Sequence, residues 1–419
     1  MKKIQRIRGF HDVVWPESDQ YGKILQIAES VFRSAGFERV LLPILEPTEL
    51  FSRTLGETTD IVEKEMYSFK DRNGESLTLR PEGTAGAVRA YIEFSEKGQD
   101  PFWKVFYQGP MFRHERPQKG RQRQFYQFGV EMFGWSSAWI DAELLSLFQE
   151  MWRQLELKGI SLRLNSLGCS HCRSHYRRKL MDYLLPLKNL LCEDCQRRLE
   201  KNPLRVFDCK QEKCHSVVEK SPKTLDSLCE ECKTHRVQLL EGLKVLEVSY
   251  QEDPLLVRGL DYYTRTAFEY VSGQLGAQNA IAAGGRYDDL VAQLGGRPIP
   301  AIGVAMGLER LSLLLESDKL SQKGPQLFIA VLGDDAILKM LPLIRDLRRS
   351  GVSVEWDPEG RSLKSQMRRA DRLQARSVLI LGEEELRRGE GIFRDLQTQT
   401  QESIPWNLKI LLDKVSPKR

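Results

Sequence analysis

No run of this 419-residue chain is apolar and long enough to cross a bilayer as a helix, so its sequence excludes a helical membrane protein. The basic residues of MKKIQRIRGFHD have no apolar stretch behind them; a secretory signal is not expected, and a cytoplasmic location is. Charge of one sign is missing too: 63 basic against 58 acidic residues leaves a net +5, so any polyanion must meet a local patch rather than a global field. Neither a nucleophile-elbow serine nor a P-loop lysine motif is present, which removes two common routes to acyl and phosphoryl chemistry. Cysteine is absent from most of the chain, and its eight copies all fall between 169 and 232. The length itself is too great for one core and suggests two to four domains.

What is present is most informative between Val105 and Gly134, VFYQGPMFRHERPQKGRQRQFYQFGVEMFG. It reads as two strands around a charged connection. In the second, period-two alternation places Phe125, Gln127, Gly129 and Glu131 on one face, and Tyr126, Phe128, Val130 and Met132 on an apolar core face. An aromatic, an amide, a residue without side chain and a carboxylate make an unusual strand face, and the glycine marks a bulge or the close approach of a ligand. Arg113, Arg116, Lys119, Arg121 and Arg123 crowd the connection, which suits either a phosphate-rich ligand or a salt-bridged hairpin.

Upstream, residues 20–36 have helical spacing, with Ile24, Leu25, Ala28, Val31 and Phe32 on one side and a stop at Gly36. ERVLLPILEP follows as a strand whose central Pro43 cannot donate to a ladder, so it is expected at an edge or bent there. Strand patterns continue in SLTLRPEG and return after 254 in LLVRGLDYYTRTAFEYV and AIAAGGRYDDLV. AIGVAMGLERLSLLL then reads as a strand running into a helix. The early and late strands are expected to form one mostly antiparallel sheet, interrupted by an insertion over 166–250. ESDKLSQKGP reads as a linker. Beyond it, strand and helix alternate through QLFIAVLG, Asp335–Ser350, VSVEW, 361–376, SVLILG and WNLKILLDKV, giving an α/β domain over 326–419 with a parallel or mixed sheet. Its second helix carries Arg361, Lys364, Arg368, Arg372 and Arg376 on roughly one stripe, either a solvated face or a phosphate-backbone contact.

The insertion's cysteines come as Cys169/Cys172, Cys192/Cys195, Cys209/Cys214 and Cys229/Cys232. Clustered pairs in a cytosolic chain favour metal over disulfides. Eight thiolates match two tetrahedral zinc sites of four cysteines each, stapling a helical module with little core of its own. The alternative is eight reduced thiols packed as small hydrophobes. Spacing leaves the pairing across the module open. With all ligands cysteine, such zinc is structural.

Together these segments resemble class II aminoacyl-tRNA synthetases, and specifically the histidyl-tRNA synthetase family, over nearly the whole chain. The Pro43 strand resembles the class's first motif, at the dimer interface. FRHE at 112–115 with its following strand resembles the second, and GLER at 307–310 the third. LRPEGT at 79–84 narrows the resemblance, and RGLDYYTRTAFEY at 258–270 and AGGRYDDLV at 283–291 resemble the histidine-specific signatures.

The resemblance implies an α+β catalytic domain over 1–325 with a mostly antiparallel sheet of the class II type, interrupted at 166–250, and an anticodon-binding α/β domain over 326–419. It implies a homodimer that uses ATP with Mg2+ to activate L-histidine as an adenylate, then transfers it to the 3′ end of tRNA(His). By the same resemblance Arg113 grips the α-phosphate, Glu115 and Phe125 hold the adenine, and Arg310 reaches the base and γ-phosphate. Arg258 supplies a guanidinium at the α-phosphate, where other class members rely on metal. Glu131 and Tyr263 would bond the two imidazole nitrogens; Glu82, Thr84, Gln127 and Arg121 the amine and carboxylate; Tyr262 and Tyr287 would wall the pocket, with Gly284 and Gly285 leaving it room. Arg361, Lys364, Arg368 and Arg372 become tRNA contacts. One rival is a regulatory paralogue without aminoacylation, which is expected to lack both the terminal domain and catalytic arginines. Arg113, Arg258 and Arg310 are all here, and the RGLDYY and GGRYD segments argue against a class II enzyme for another amino acid.

Overall fold

The computed structural model describes residues 3–56, 59, 61–98, 100–118, 120–258, 260, 262–276, 279–315 and 324–415. Most of the polar segment ESDKLSQKGP, residues 316–323, and Lys119 lie outside the described residues, as do Gly259 and Asp261 of the RGLDYY segment. The chain divides into two compact units, Met1–Ser317 and Asp318–Arg419.

The first unit is built on an eight-stranded sheet. Across it run Glu38–Arg39, Trp103–Phe112, Gln124–Phe133, Ala301–Gly307, Ala280–Arg286, Thr264–Ser272, Ile160–Ser166 and Gln251–Glu252. Only the two short edge strands pair in parallel; the six between them are antiparallel throughout. Early and late strands thus share one sheet, as their alternation suggests. One face carries Phe128, Val130 and Met132 into the main core, against helices Glu17–Ser34 and Ala138–Gln154. Helix Glu17–Ser34 buries Ile24, Ala28, Val31 and Phe32, the stripe expected from its spacing. A fully buried ion pair fastens helix to sheet: Arg286 Nη2 lies 2.7 Å from Asp141 Oδ1, and Thr266 donates to Asp141 Oδ2 at 2.6 Å.

Three expectations need correction. ERVLLPILEP is not one strand: Glu38–Arg39 joins the large sheet, while Leu45–Pro47 pairs with Ser76–Leu79 in a separate three-stranded sheet completed by Tyr67–Lys70. The break spans Pro43, whose missing N–H cannot continue a ladder. The carbonyls freed there are used, since Arg80 Nη1 donates to those of Leu42 at 2.8 Å and Pro43 at 3.3 Å. LLVRGLDYYTRTAFEYV, read as a strand, is strand only from Thr264; its earlier described residues precede it. The leucine-rich helix after GLER is one short helix, Leu308–Ser312.

The insertion is helical, with Ser170–Leu184, Glu193–Lys201 and Glu212–Val218 around a core of Tyr176, Leu180, Leu184, Leu199 and Val218 that also takes in Cys192, Cys195, Cys209 and Cys214. It therefore has more core than its polar sequence suggests. Helix Glu230–Val245, inside the expected insertion, packs Leu239 and Leu243 into the main core.

The second unit has a mixed five-stranded sheet, Val354–Trp356, Leu327–Val331, Ser377–Leu381, Glu390–Asp395 and Gln401–Pro405, the first three parallel and the last two antiparallel. Helix Leu363–Arg372 turns Gln366 and Ala370 inward, and the Gln366 amide accepts from Val331 N at 3.0 Å and donates to its carbonyl at 2.7 Å. Lys364, Arg368 and Arg372 face solvent. Arg361 and Arg369 do not stand alone, lying 3.9 and 3.8 Å from the buried Asp357 carboxylate. The hairpin Glu390–Pro405 is not among the expected elements, its alternation being interrupted by a polar turn.

Candidate active site

The hairpin Trp103–Phe112 and Gln124–Phe133 pairs Gln127 with Gly109, Gly129 with Tyr107 and Glu131 with Val105. Gln127 and Glu131 are buried on the face opposite the main core, and Phe125 shares it, half-buried. The absent side chain at Gly129 leaves no empty gap. A Cβ there would lie 2.3 Å from Tyr107 Oη, and one at Gly83 would lie 2.1 Å from the same ring, so both glycines admit Tyr107 rather than a ligand directly. Gly303 does the same for Glu131, whose Oε2 would sit 1.6 Å from an added Cβ.

Glu131 is fully buried. Its Oε1 accepts from Thr84 Oγ1 at 2.8 Å and Tyr107 Oη at 3.1 Å, and its Oε2 accepts from Tyr287. Burial pushes its pKa up to about 8; the Tyr287 and Thr84 hydroxyls oppose the rise and Glu82 adds to it. Tyr287 thus bonds the carboxyl group directly, beyond the wall role expected of it. Glu82 accepts the backbone amides of Thr84 and Ala85 at 2.6 and 2.8 Å, at the start of helix Thr84–Ser95. Burial raises its pKa, opposed by those amides and by Arg113. Tyr262 lies tilted against Tyr263 with ring centroids 4.6 Å apart and meets Tyr287 edge-on at 5.7 Å. Gln127 Oε1 is buried with no hydrogen-bond partner among the described residues.

The cationic groups continue from there. Arg113 Nε donates to the Pro81 carbonyl at 2.8 Å, and its guanidinium lies 5.2 Å from the Phe125 ring centre. Arg121 pairs with Glu115 at 3.1 Å. Arg310 donates to the Ala280 carbonyl at 2.6 Å; burial lowers its pKa, with Arg121 and Arg113 contributing and Glu115 and Glu269 opposing. Arg258 donates to Glu269 at 3.1 Å, sits 5.7 Å from the Tyr263 ring centre and leaves Nε without a hydrogen bond among the described residues. Burial works against its charge, yet Tyr263 and Glu269 hold its pKa above the ordinary value. The structure therefore brings Glu82, Thr84, Arg113, Glu115, Arg121, Phe125, Gln127, Glu131, Arg258, Tyr262, Tyr263, Tyr287 and Arg310 onto the one sheet unit. Gly284 and Gly285 serve packing instead: added Cβ atoms would meet the Gly303 carbonyl at 2.1 Å and the Thr266 carbonyl at 2.4 Å. Arg361, Lys364, Arg368 and Arg372 belong to the other unit.

Sequence reasoning missed Tyr107 and Glu269. Tyr107 stands directly opposite Gly129 in the hairpin register, a tyrosine–glycine pair that alternation could have exposed. Glu269 alternates with the core residues Phe268 and Tyr270 in the strand after RGLDYY, and nothing local in that strand marks it as Arg258's partner.

A family model described as Histidyl-tRNA synthetase matches residues 9–172 and 196–311, and one described as Anticodon binding domain matches 326–410. The chain belongs to the histidyl-tRNA synthetase family. It is accordingly a ligase that charges tRNA with histidine. The histidine–tRNA ligase of Geobacter sulfurreducens is 48% identical over 402 residues, spanning 96% of this chain and 97% of the relative. That of Trichlorobacter lovleyi is 49% identical over 401 residues, with 96% of each chain covered. The crystal structure of apo Staphylococcus aureus histidyl-tRNA synthetase superposes with a TM-score of 0.80 at 34% identity, covering 99% of this chain and 100% of the other. Between its two matched blocks, the synthetase model leaves out the part of the insertion that holds Cys192 and Cys195.

Proposed function

We propose that histidine lies with its imidazole toward Glu131 and Tyr263 and its carboxylate toward Arg258, and that Arg113, Arg258 and Arg310 hold ATP, which enters as its magnesium complex. A histidine carboxylate oxygen attacks the α-phosphorus, pyrophosphate leaves, and the terminal tRNA hydroxyl then displaces AMP from the acyl carbon. Negative charge grows on phosphate oxygens in the first step, so fixed guanidiniums at the α-phosphate supply the stabilisation and no protein nucleophile is needed. Glu82, Thr84, Gln127 and Arg121 receive the amine and carboxylate. Glu115 and the open face of Phe125 hold the adenine. The observation that carries this reading is that Glu269, bonded to Arg258, also acts electrostatically on Arg310, which in turn feels Arg113 and Arg121, so the cations share one local field. Amino-acid-dependent exchange of pyrophosphate into ATP tests it: histidine alone among the natural amino acids should support exchange, and support by another would refute it.

The same reading makes the enzyme a cytoplasmic homodimer; no described helix is long and apolar enough to cross a membrane. Leu41, Ile44 and Leu45, exposed around Pro43, supply an apolar dimer face. An active monomer in sedimentation analysis would contradict it. The exposed Lys364, Arg368 and Arg372 contact tRNA phosphates. Replacing all three by alanine should raise KM for tRNA about tenfold and flatten its salt dependence. Histidine-dependent pyrophosphate exchange should not change, and a tRNA KM equal to wild type would remove these residues from the contact. Zinc in the insertion, expected from cysteine spacing, holds the fold and supplies no chemistry.

A further inference from the structure

The eight thiols separate into two closed groups. Cys169, Cys172, Cys229 and Cys232 have all their sulfurs within 4.8 Å of one another, and so do Cys192, Cys195, Cys209 and Cys214. All eight are free thiols. Nearest sulfurs lie 3.6 Å apart for Cys169–Cys172, 3.9 Å for Cys169–Cys229 and 3.8 Å for Cys192–Cys209. A tetrahedron of thiolates at a Zn–S distance of about 2.3 Å has edges of about 3.8 Å. Packed thiols acting only as small hydrophobes have no reason to gather in fours at that spacing.

The backbone repeats one device. Cys169, Cys192 and Cys229 each occupy the N-cap position of a helix, and Cys172, Cys195 and Cys232 follow one turn later, so each C-x2-C pair places two sulfurs at the same helix end. Backbone amides also point at the sulfurs: Cys192 N donates to Cys214 Sγ at 3.2 Å, Gln211 N to Cys209 Sγ at 3.4 Å, and Cys229 N to Cys172 Sγ at 3.1 Å.

We infer that the chain carries two structural zinc ions, one held by Cys169, Cys172, Cys229 and Cys232 and the other by Cys192, Cys195, Cys209 and Cys214. This goes beyond the catalytic reading, because it assigns the pairing and gives the two sites different work. The Cys192 site lies wholly inside the helical module and completes its core. The Cys169 site joins the end of strand Ile160–Ser166 to the start of helix Glu230–Val245, where the chain re-enters the main core, closing the insertion at its neck. An added Cβ at Gly168, where φ is +69°, would lie 2.4 Å from Cys172 Cβ, so the neck admits no larger residue there. The neck also touches the active site: Arg173 Nη1 donates to the Tyr263 carbonyl at 3.1 Å, and Arg265 N to the Gly168 carbonyl at 2.8 Å. Metal at the neck therefore positions the Tyr262–Tyr263 segment.

Elemental analysis of the purified full-length chain should find two zinc ions per chain. Cys192→Ser with Cys195→Ser should lower this to one and leave KM for histidine unchanged. Cys229→Ser with Cys232→Ser should also lower it to one, but raise KM for histidine several-fold. Should either variant fail to fold, titrating the wild-type thiols with a mercurial in the presence of a chromophoric chelator must release two zinc ions as eight thiols react. No zinc, a single equivalent, iron in its place, or eight thiols reacting without zinc release would overturn the assignment. Equal effects of the two pairs on KM would overturn the division of work.

Discussion

The two ends of the proposed site are held in opposite ways. Around Glu131 the acceptors are met within the protein: three hydroxyls from Thr84, Tyr107 and Tyr287 converge on one buried carboxylate. Around Arg113, Arg258 and Arg310 the donors outnumber their acids. Arg113 and Arg310 donate to main-chain carbonyls, Arg258 keeps an unbonded Nε among the described residues, and Glu269 acts on two of the three. On the proposed assignment, the difference separates selection, whose polar groups are bonded beforehand, from chemistry, whose positive charge is held in reserve. A pocket that must reject apolar amino acids is rigid beforehand, because a wrong side chain then leaves buried polar groups unpaired. A surface that must stabilise developing phosphate charge keeps positive charge in reserve.

The largest break in this contrast comes from Arg258→Ala. Adenylate formation should fall by about 10²–10³-fold with the fold intact, as measured by histidine-dependent pyrophosphate exchange. Near-normal exchange would show that the reserve of charge lies elsewhere. Lysine should rescue poorly, since it lacks the planar fork.

A smaller effect reads the polar end through pH. With its pKa raised from 4.5 to about 8, Glu131 keeps a proton in the folded, unliganded enzyme that the unfolded chain has released. Stability contributed by that group is present below pH 4.5 and declines as pH rises toward 8. His235, held neutral down to about pH 3 mainly by burial, acts in the opposite sense only below its ordinary pKa of 6.5. Between pH 6.5 and 8, wild type should therefore lose roughly 2 kcal/mol relative to Glu131→Gln in denaturant titrations. Parallel pH profiles would mean that Glu131 is already ionised.

Smallest should be Tyr107→Phe. The ring still fills the space left by Gly83 and Gly129, and only one hydrogen bond to Glu131 goes. KM for histidine should rise about three- to tenfold. A hundredfold rise would mean that the hydroxyl, and not the ring, shapes the cavity.

Much of this was legible because period-two alternation is a local signal. Phe125, Gln127 and Glu131 fall on the face opposite Phe128, Val130 and Met132, and the helix over 17–34 buries its apolar stripe. What alternation cannot give is register. Only the pairing of Gly129 with Tyr107 reveals which side chain occupies the glycine's space. Only sheet order reveals that Leu45–Pro47 leaves the large sheet at Pro43. The cysteine groups were half legible: C-x2-C spacing signals a helix-capping pair, but which pairs meet depends on where the chain returns, 57 residues after Cys172 at Cys229. The contact between Arg258 and Glu269 lies between those cases, local in sequence yet hidden until the strand's start at Thr264 fixes which way Glu269 faces.

The central claim is that the buried carboxylate selects the imidazole while the guanidiniums do the phosphate chemistry. Steady-state exchange by Glu131→Gln, with histidine and ATP each varied, tests it most directly. KM for histidine should rise about a hundredfold or more while KM for ATP stays within about twofold of wild type. An unchanged KM for histidine, or an equal rise for ATP, would contradict the account.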